Sequence, residues 1–192
     1  MQTDPTITTT RERSDLLETL DKHRGFLRQT VRGLTDEQAG LRPTASELCL
    51  GGVVKHVARM EERWVDFILE GPAAIGPADE GAYRDHLASF EMDGASLTGL
   101  LSRYEDVARR TDEVVTSLPT LDSSHPLPEA PWFESGTRWS ARRVLLHLIA
   151  ETAQHAGHAD IVRETIDGAT MYELIAGLEN WEVQGWVKPW KR

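Results

Sequence analysis

The stretch TRWSARRVLLHLIAETAQHAGHADIVRETIDGAT, residues 137–170, decides how this chain is read. Ser140 is a favourable N-cap, Trp139 and Val144 are spaced to staple across it, and DGAT stops the run. The spacing predicts one long helix over residues 140–166. His147, Glu151, His155 and His158 lie within it. At about 100° per residue these four project from one side, within an arc of about 80°. Val144 and Val162 share that arc, which marks it as the expected inward face. Glutamate and histidine rarely enter a core without partners, so a hydrogen-bonded cluster and a metal site compete as explanations.

Working outward, apolar residues at helical spacing predict three more long helices. Leu16, Leu17, Leu20, Phe26, Leu27 and Val31 carry the first, over residues 10–31, which Gly33 ends. Thr35 and Gln38 stand in capping-box register for a short turn of helix. Val53, His56, Val57, Met60, Trp64, Phe67 and Ile68 form the stripe of the second, over residues 50–69. Leu97, Leu100, Leu101, Tyr104, Val107, Ala108 and Val114 form that of the third, over residues 95–118. EGPAAIGPADEGA and PTLDSSHPLPEAPWFESGTR read as long Pro-containing connections, and strand signals are nearly absent. A short fifth helix is expected within MYELIAGLEN, followed by a tail holding three of the six tryptophans. That tail reads as a flap closing over the core. The fold class is all-α, a four-helix bundle with long crossover connections. The domain reading is a flexible tail at residues 1–9 and one helical domain over residues 10–192.

Composition narrows the function. A net charge of −10 opposes binding to nucleic acid or to an anionic membrane, and no apolar run approaches the length of a bilayer span. No secretory signal is visible, so the cytoplasm is the expected address. The single cysteine, Cys49, excludes an internal disulfide and a cysteine-based zinc cluster. It sits at a helix start, where a small capping residue is expected and a reactive thiol is the sharper alternative. His23, His86 and His125 fall on a surface face or in connections.

A pair at i and i+4 presents two donors to one cation, and His56 on the second helix supplies a third from across the bundle. Two histidines and a carboxylate suit zinc and equally a non-haem iron triad, so the donor types do not choose the metal. The register is open as well: His147 with Glu151, Glu151 with His155, and Glu151 with His158 all satisfy helical spacing.

LGGVVKHVARMEERW, residues 50–64, followed by residues 137–170, resembles the DinB/YfiT-like superfamily of metalloenzymes, closest to its mycothiol-dependent branch. The similarity spans roughly residues 10–169. It implies a down-up-up-down four-helix bundle holding a divalent metal through three ligands. Carried onto this chain, these are His56, Glu151 and His155, with Glu-x3-His as the helix-four pair. His147, His158 and Met60 are then pocket-lining or supporting residues. Zinc is the first choice, with nickel, iron or manganese as alternatives. The implied activity is thiol S-transfer to an electrophile, or thiol-assisted isomerisation, with mycothiol or an analogue as cosubstrate. A metal-water hydrolase and a non-catalytic metal or thiol binder are the alternatives. Small-molecule partners are expected, with room for a homodimer. Gly157 is expected at a close helix approach, Asp160 in a surface ion pair with Arg163 or with an arginine of a neighbouring helix, and Cys49 replaces the Ser or Thr usual before LGG.

Overall fold

The computed structural model describes residues 5–181 and 187–190, with side chains from Arg11 onward. Its helices are α1 (Pro5–Thr30), α2 (Asp36–Ala39), α3 (Leu50–Glu70), α4 (Glu80–Ala88), α5 (Leu97–Ser117), α6 (Ala141–Asp167) and α7 (Met171–Leu178). Two three-residue strands, β1 (Ser124–Pro126) and β2 (Arg138–Ser140), pair antiparallel. The fold is the expected all-α, DinB-like bundle. The four long helices end within a few residues of the expected positions, apart from α1, which begins at Pro5 and not near residue 10. Residues 1–4, part of the expected tail, lie outside the described residues.

Within the bundle, α1 lies against α6 and α5, and α3 lies against α5 and α6. The consecutive pairs α1/α3 and α5/α6 are therefore the diagonals, and crossover connections join each pair. Local chemistry sets the helix ends. Thr35 and Gln38 form the capping box that starts α2, while Ser96 and Ser140 accept from Gly99 and Arg143 N–H. Gly168 closes α6 at φ 79°, a left-handed conformation open to glycine at little cost.

The core forms two clusters. One gathers Leu27, Val31, Leu50, Val53, Val57, Leu100, Tyr104 and Ala159. The other gathers Leu20, Trp64, Phe67, Val115, Leu121, Val144, Leu145 and Leu148. Fully buried Arg24 pairs with fully buried Glu61 at 2.5 Å, and Thr111 donates to the same carboxylate at 2.6 Å. This polar tie joins α1, α3 and α5, and periodicity gives no hint of it. Arg163 pairs with Asp167 and donates to the carbonyls of Thr30 and Arg32, each at 2.8 Å. It satisfies carbonyls left free at the end of α1, so the expected Asp160–Arg163 pair is replaced by Arg163–Asp167.

Two further expectations are corrected. Gly157 is exposed with open space where a side chain would stand. The close approach is instead at Gly52, where a Cβ would overlap the Phe90 carbonyl. The connection after α3 is not structureless, for it forms a 3-10 turn (Gly71–Ala74) and α4. Helix α4 buries none of its residues, so it carries no apolar stripe to announce it. At the C-terminus, Trp190 N–H donates to Glu173 O at 2.8 Å, fastening the tail to α7. Trp186, part of the expected flap, lies outside the described residues.

Candidate functional site

The centre of the buried face of α6 is Leu145, Leu148, Thr152, Ala156 and Ala159. The arc of His147, Glu151, His155 and His158 is half-buried and flanks this face, a correction to its expected inward position. It therefore meets α3 at the edge of the bundle, where His56 is buried. The His56 and His155 rings lie 4.9 Å apart, edge to face. Glu151 stands between two histidines of its own helix: one oxygen is 3.7 Å from His155 Nε2, the other 3.9 Å from His147 Nδ1. Helical spacing brings together the residues of α6, and the α3–α6 packing supplies His56.

Phe90 stacks on His56 with ring centroids 3.8 Å apart, and His86 meets it edge-on at 5.3 Å. His56 Nδ1 is 2.7 Å from Ser89 Oγ, and Ser89 Oγ–H donates to His86 O at 2.5 Å. A hydroxyl has one hydrogen. Since Ser89 gives its hydrogen to the carbonyl, it accepts from His56 Nδ1–H, and Nε2 keeps the lone pair. This is the tautomer-setting contact common behind metal-binding histidines.

Burial lowers the His56 pKa to about 3, with the nearby His155, His86 and Arg59 adding to it. Burial likewise lowers His155 to about 4, helped by His158 and His86, and His147 to about 4, helped by Arg143. All three are neutral near pH 7, the state in which imidazole ligates a cation. His155 Nδ1 is buried without a hydrogen-bond partner among the described residues. No three His, Cys, Asp or Glu side chains among the described residues stand ready-made as a metal cage. The donor set nevertheless fits a divalent ion chemically: a bare imidazole nitrogen on His56, a neutral imidazole on His155 and an adjacent carboxylate on the half-buried Glu151.

His56 and Glu151 line a cleft of about 740 Å³, with Met60, Trp64 and His147 also on the bundle side, and His155 is not among its lining residues. Residues 75–89, including α4, and the tip of the β1–β2 hairpin form its other walls. Met60 and His147 thus line the cleft as expected. His158 is not among the lining residues; its ring meets His155 at 5.6 Å. Cys49 is buried outside the cleft, where its sulfur accepts from Gly52 N–H and donates to Phe90 O. It behaves as a cap.

Residues 15–168 match the family described as Mycothiol-S-transferase. The chain belongs to the mycothiol-S-transferase family. The match covers α3, α6 and the whole cleft-forming connection between α3 and α5. A comparison with curated proteins gives no match. Among solved structures, the "conserved protein of locus from Enterococcus faecalis" is similar, with a TM-score of 0.60 at 15% identity. The alignment covers 81% of this chain and 97% of that one, and it speaks for the fold alone.

Within this member of the mycothiol-S-transferase family, sequence reasoning missed His86, Ser89 and Phe90, all brought to the site by α4 and the turn after it. His86, expected on a surface or in a connection, lines the cleft. One signal was available: Asp79, which caps α4 by accepting from Ala82 N–H at 2.8 Å. His125, also expected to be peripheral, approaches Ile68 O with Nε2 at 3.2 Å and serves the bundle end. No helix among the described residues is long and apolar enough to cross a membrane.

Proposed function

We propose that this protein is a thiol S-transferase in which His56, Glu151 and His155 hold a divalent metal, zinc first among the choices. The thiol is mycothiol or a close analogue, the cosubstrate suggested by the family's description. A divalent ion bound there lowers the pKa of a thiol that reaches it, supplying a thiolate at neutral pH. The observation that carries the reading is the Ser89–His56 contact, which leaves the lone pair on Nε2 of a ring 4.9 Å from that of His155, itself beside Glu151.

The chain's own groups do the remaining work. Ser89 fixes the His56 tautomer, and Phe90 covers one face of its ring. His147 lies edge-on against both rings of the Trp64–Trp139 stack, at 4.9 and 5.1 Å, and its Nδ1 is 3.9 Å from one oxygen of Glu151. That arrangement limits the carboxylate's swing. Trp64, Met60 and Phe133 exclude water from one side, which strengthens electrostatic interactions within the site. Arg59 and Arg63 also line the cleft, where a hydrophilic thiol body finds hydrogen-bond donors. A reduced small thiol suits the cytoplasmic address expected from the sequence.

Cobalt-substituted protein tests the reading. Adding mycothiol should produce a sulfur-to-cobalt charge-transfer band, absent in His155→Ala. Consumption of an electrophile should require both metal and thiol, and Cys49→Ser should keep full activity. Ester or amide cleavage without thiol, and no thiol-induced band, would replace this reading with a metal-water hydrolase. Thiol binding without turnover of any electrophile would leave a binding protein.

A further inference from the structure

The tip of the β1–β2 hairpin is braced. Leu127 N–H donates to Thr137 O at 2.9 Å, Phe133 N–H to Ala130 O at 3.0 Å, and Thr137 N–H to Glu134 O at 3.1 Å. On this firm turn Trp132 is 71% exposed and lines the cleft. From it a run of ring contacts leads inward. Trp132 meets Phe133 at 6.2 Å, Phe133 meets Trp139 at 5.9 Å, and Trp139 stacks on Trp64 at 4.8 Å. Trp64 then meets His147, which faces Glu151. Trp132, Phe133, Trp64 and His147 of this aromatic ladder line the cleft, and Trp139, not itself a lining residue, links Phe133 to Trp64. A second, charged wall also lines the cleft, with Arg59 beside Asp85 at 3.5 Å and Arg63 donating to the Ile75 carbonyl.

We propose that the aromatic wall is the acceptor subsite, and that the acceptor is an uncharged, planar aromatic or conjugated electrophile. It rests on the S-transferase reading for its chemistry. Flat π-faces stack on indole and phenyl rings in offset or edge-on geometry, and an exposed indole held on a rigid turn gives such contact area at small entropic cost. A hydrophilic thiol takes the charged wall, leaving the ladder for the second reactant. With a haloarene acceptor, the thiol sulfur forms a bond to the ring carbon. The carbon–halogen bond breaks with its electron pair on the departing halide, and the thiol proton passes to solvent. No oxidant or reductant enters.

The test compares 1-chloro-2,4-dinitrobenzene with iodoacetamide, each with mycothiol and metal-loaded protein. Trp132→Ala should raise KM for the arene at least tenfold with kcat little changed, and leave iodoacetamide kinetics unaltered. Trp132→Phe should restore most of the arene KM. Equal effects on both electrophiles, or none on either, overturn the subsite. Because Trp132 is exposed, its removal leaves the core intact. If the wild type transfers thiol to neither electrophile, the S-transferase reading fails, and binding of 2-naphthol to chelator-treated protein decides the subsite separately. Saturable binding weakened at least tenfold by Trp132→Ala supports it; absent binding, or equal binding by both proteins, overturns it.

Discussion

His56 Nδ1 lies 2.7 Å from Ser89 Oγ, and the Ser89 hydroxyl hydrogen is directed to His86 O. Those two contacts fix the protonation pattern of a histidine on α3 from a residue that follows α4. Ser89→Ala removes the acceptor and leaves His56 N–H buried and unpaired. The expected result is metal affinity lower by about 10–100-fold and stability lower by about 1–3 kcal/mol. Competition titration with a chromophoric chelator reads the first and urea unfolding the second. Unchanged affinity would mean that His56 is not oriented through Ser89.

The proposed ligand register, His56 with Glu151 and His155, is read from metal content. His56→Ala, Glu151→Ala and His155→Ala should each lose most of the bound metal, because a three-donor site has none to spare. His147→Ala should keep near-normal stoichiometry. Metal at 100 times its dissociation constant should stabilise the wild type by about 2.7 kcal/mol, visible as a higher melting temperature. Full retention in Glu151→Ala points to His158, whose ring stands 5.6 Å from that of His155, as the replacement donor.

Glu61 and Arg24 are both fully buried and tie α3 to α1. Glu61→Ala strands a guanidinium in the core, at a cost of about 3–5 kcal/mol. The lower end is expected, since Asp112 still pairs with Arg24 at 3.0 Å. Combining Arg24→Leu with Glu61→Leu should recover much of the loss, because no buried charge then lacks its partner. Urea midpoints for the two variants, measured at equal m-values, check the contrast.

The metal-free protein should be acid-sensitive. His56, His147 and His155 have folded-state pKa values near 3, 4 and 4, below the ordinary 6.5. The folded state therefore binds fewer protons, and their contribution, complete above pH 6.5, is lost as pH falls toward those values. Asp160 acts oppositely: burial, with Glu164 nearby, raises it to about 6, so its share is lost as pH rises from 3.8. Three histidines against one aspartate leave a net fall of about 1 kcal/mol per pH unit below 6, after discounting for solvent access. His147→Gln should flatten that slope in urea titrations at pH 7, 6, 5 and 4.5. An unchanged slope would remove His147 from the account.

What the sequence alone determined follows from short-range regularity. The stripe of α3, the cap at Ser140 and the i,i+4 spacing of Glu151 and His155 are local properties of a helix, written within a few turns of chain. The DinB-like bundle and the residues expected to hold a metal were legible on those grounds, together with the resemblance. Packing decided the rest. Diagonal placement of α1/α3 and α5/α6 put the Glu/His arc at the flank of the bundle, facing a cleft. Helix α4 buries nothing, so no periodic pattern foretold it, yet it and the turn after it deliver His86, Ser89 and Phe90 to His56. The Arg24–Glu61 tie and the aromatic ladder likewise join residues far apart in sequence. Side chains that meet only through tertiary contact leave no period in the chain, because helical spacing reports which face a residue shares and not what that face will touch.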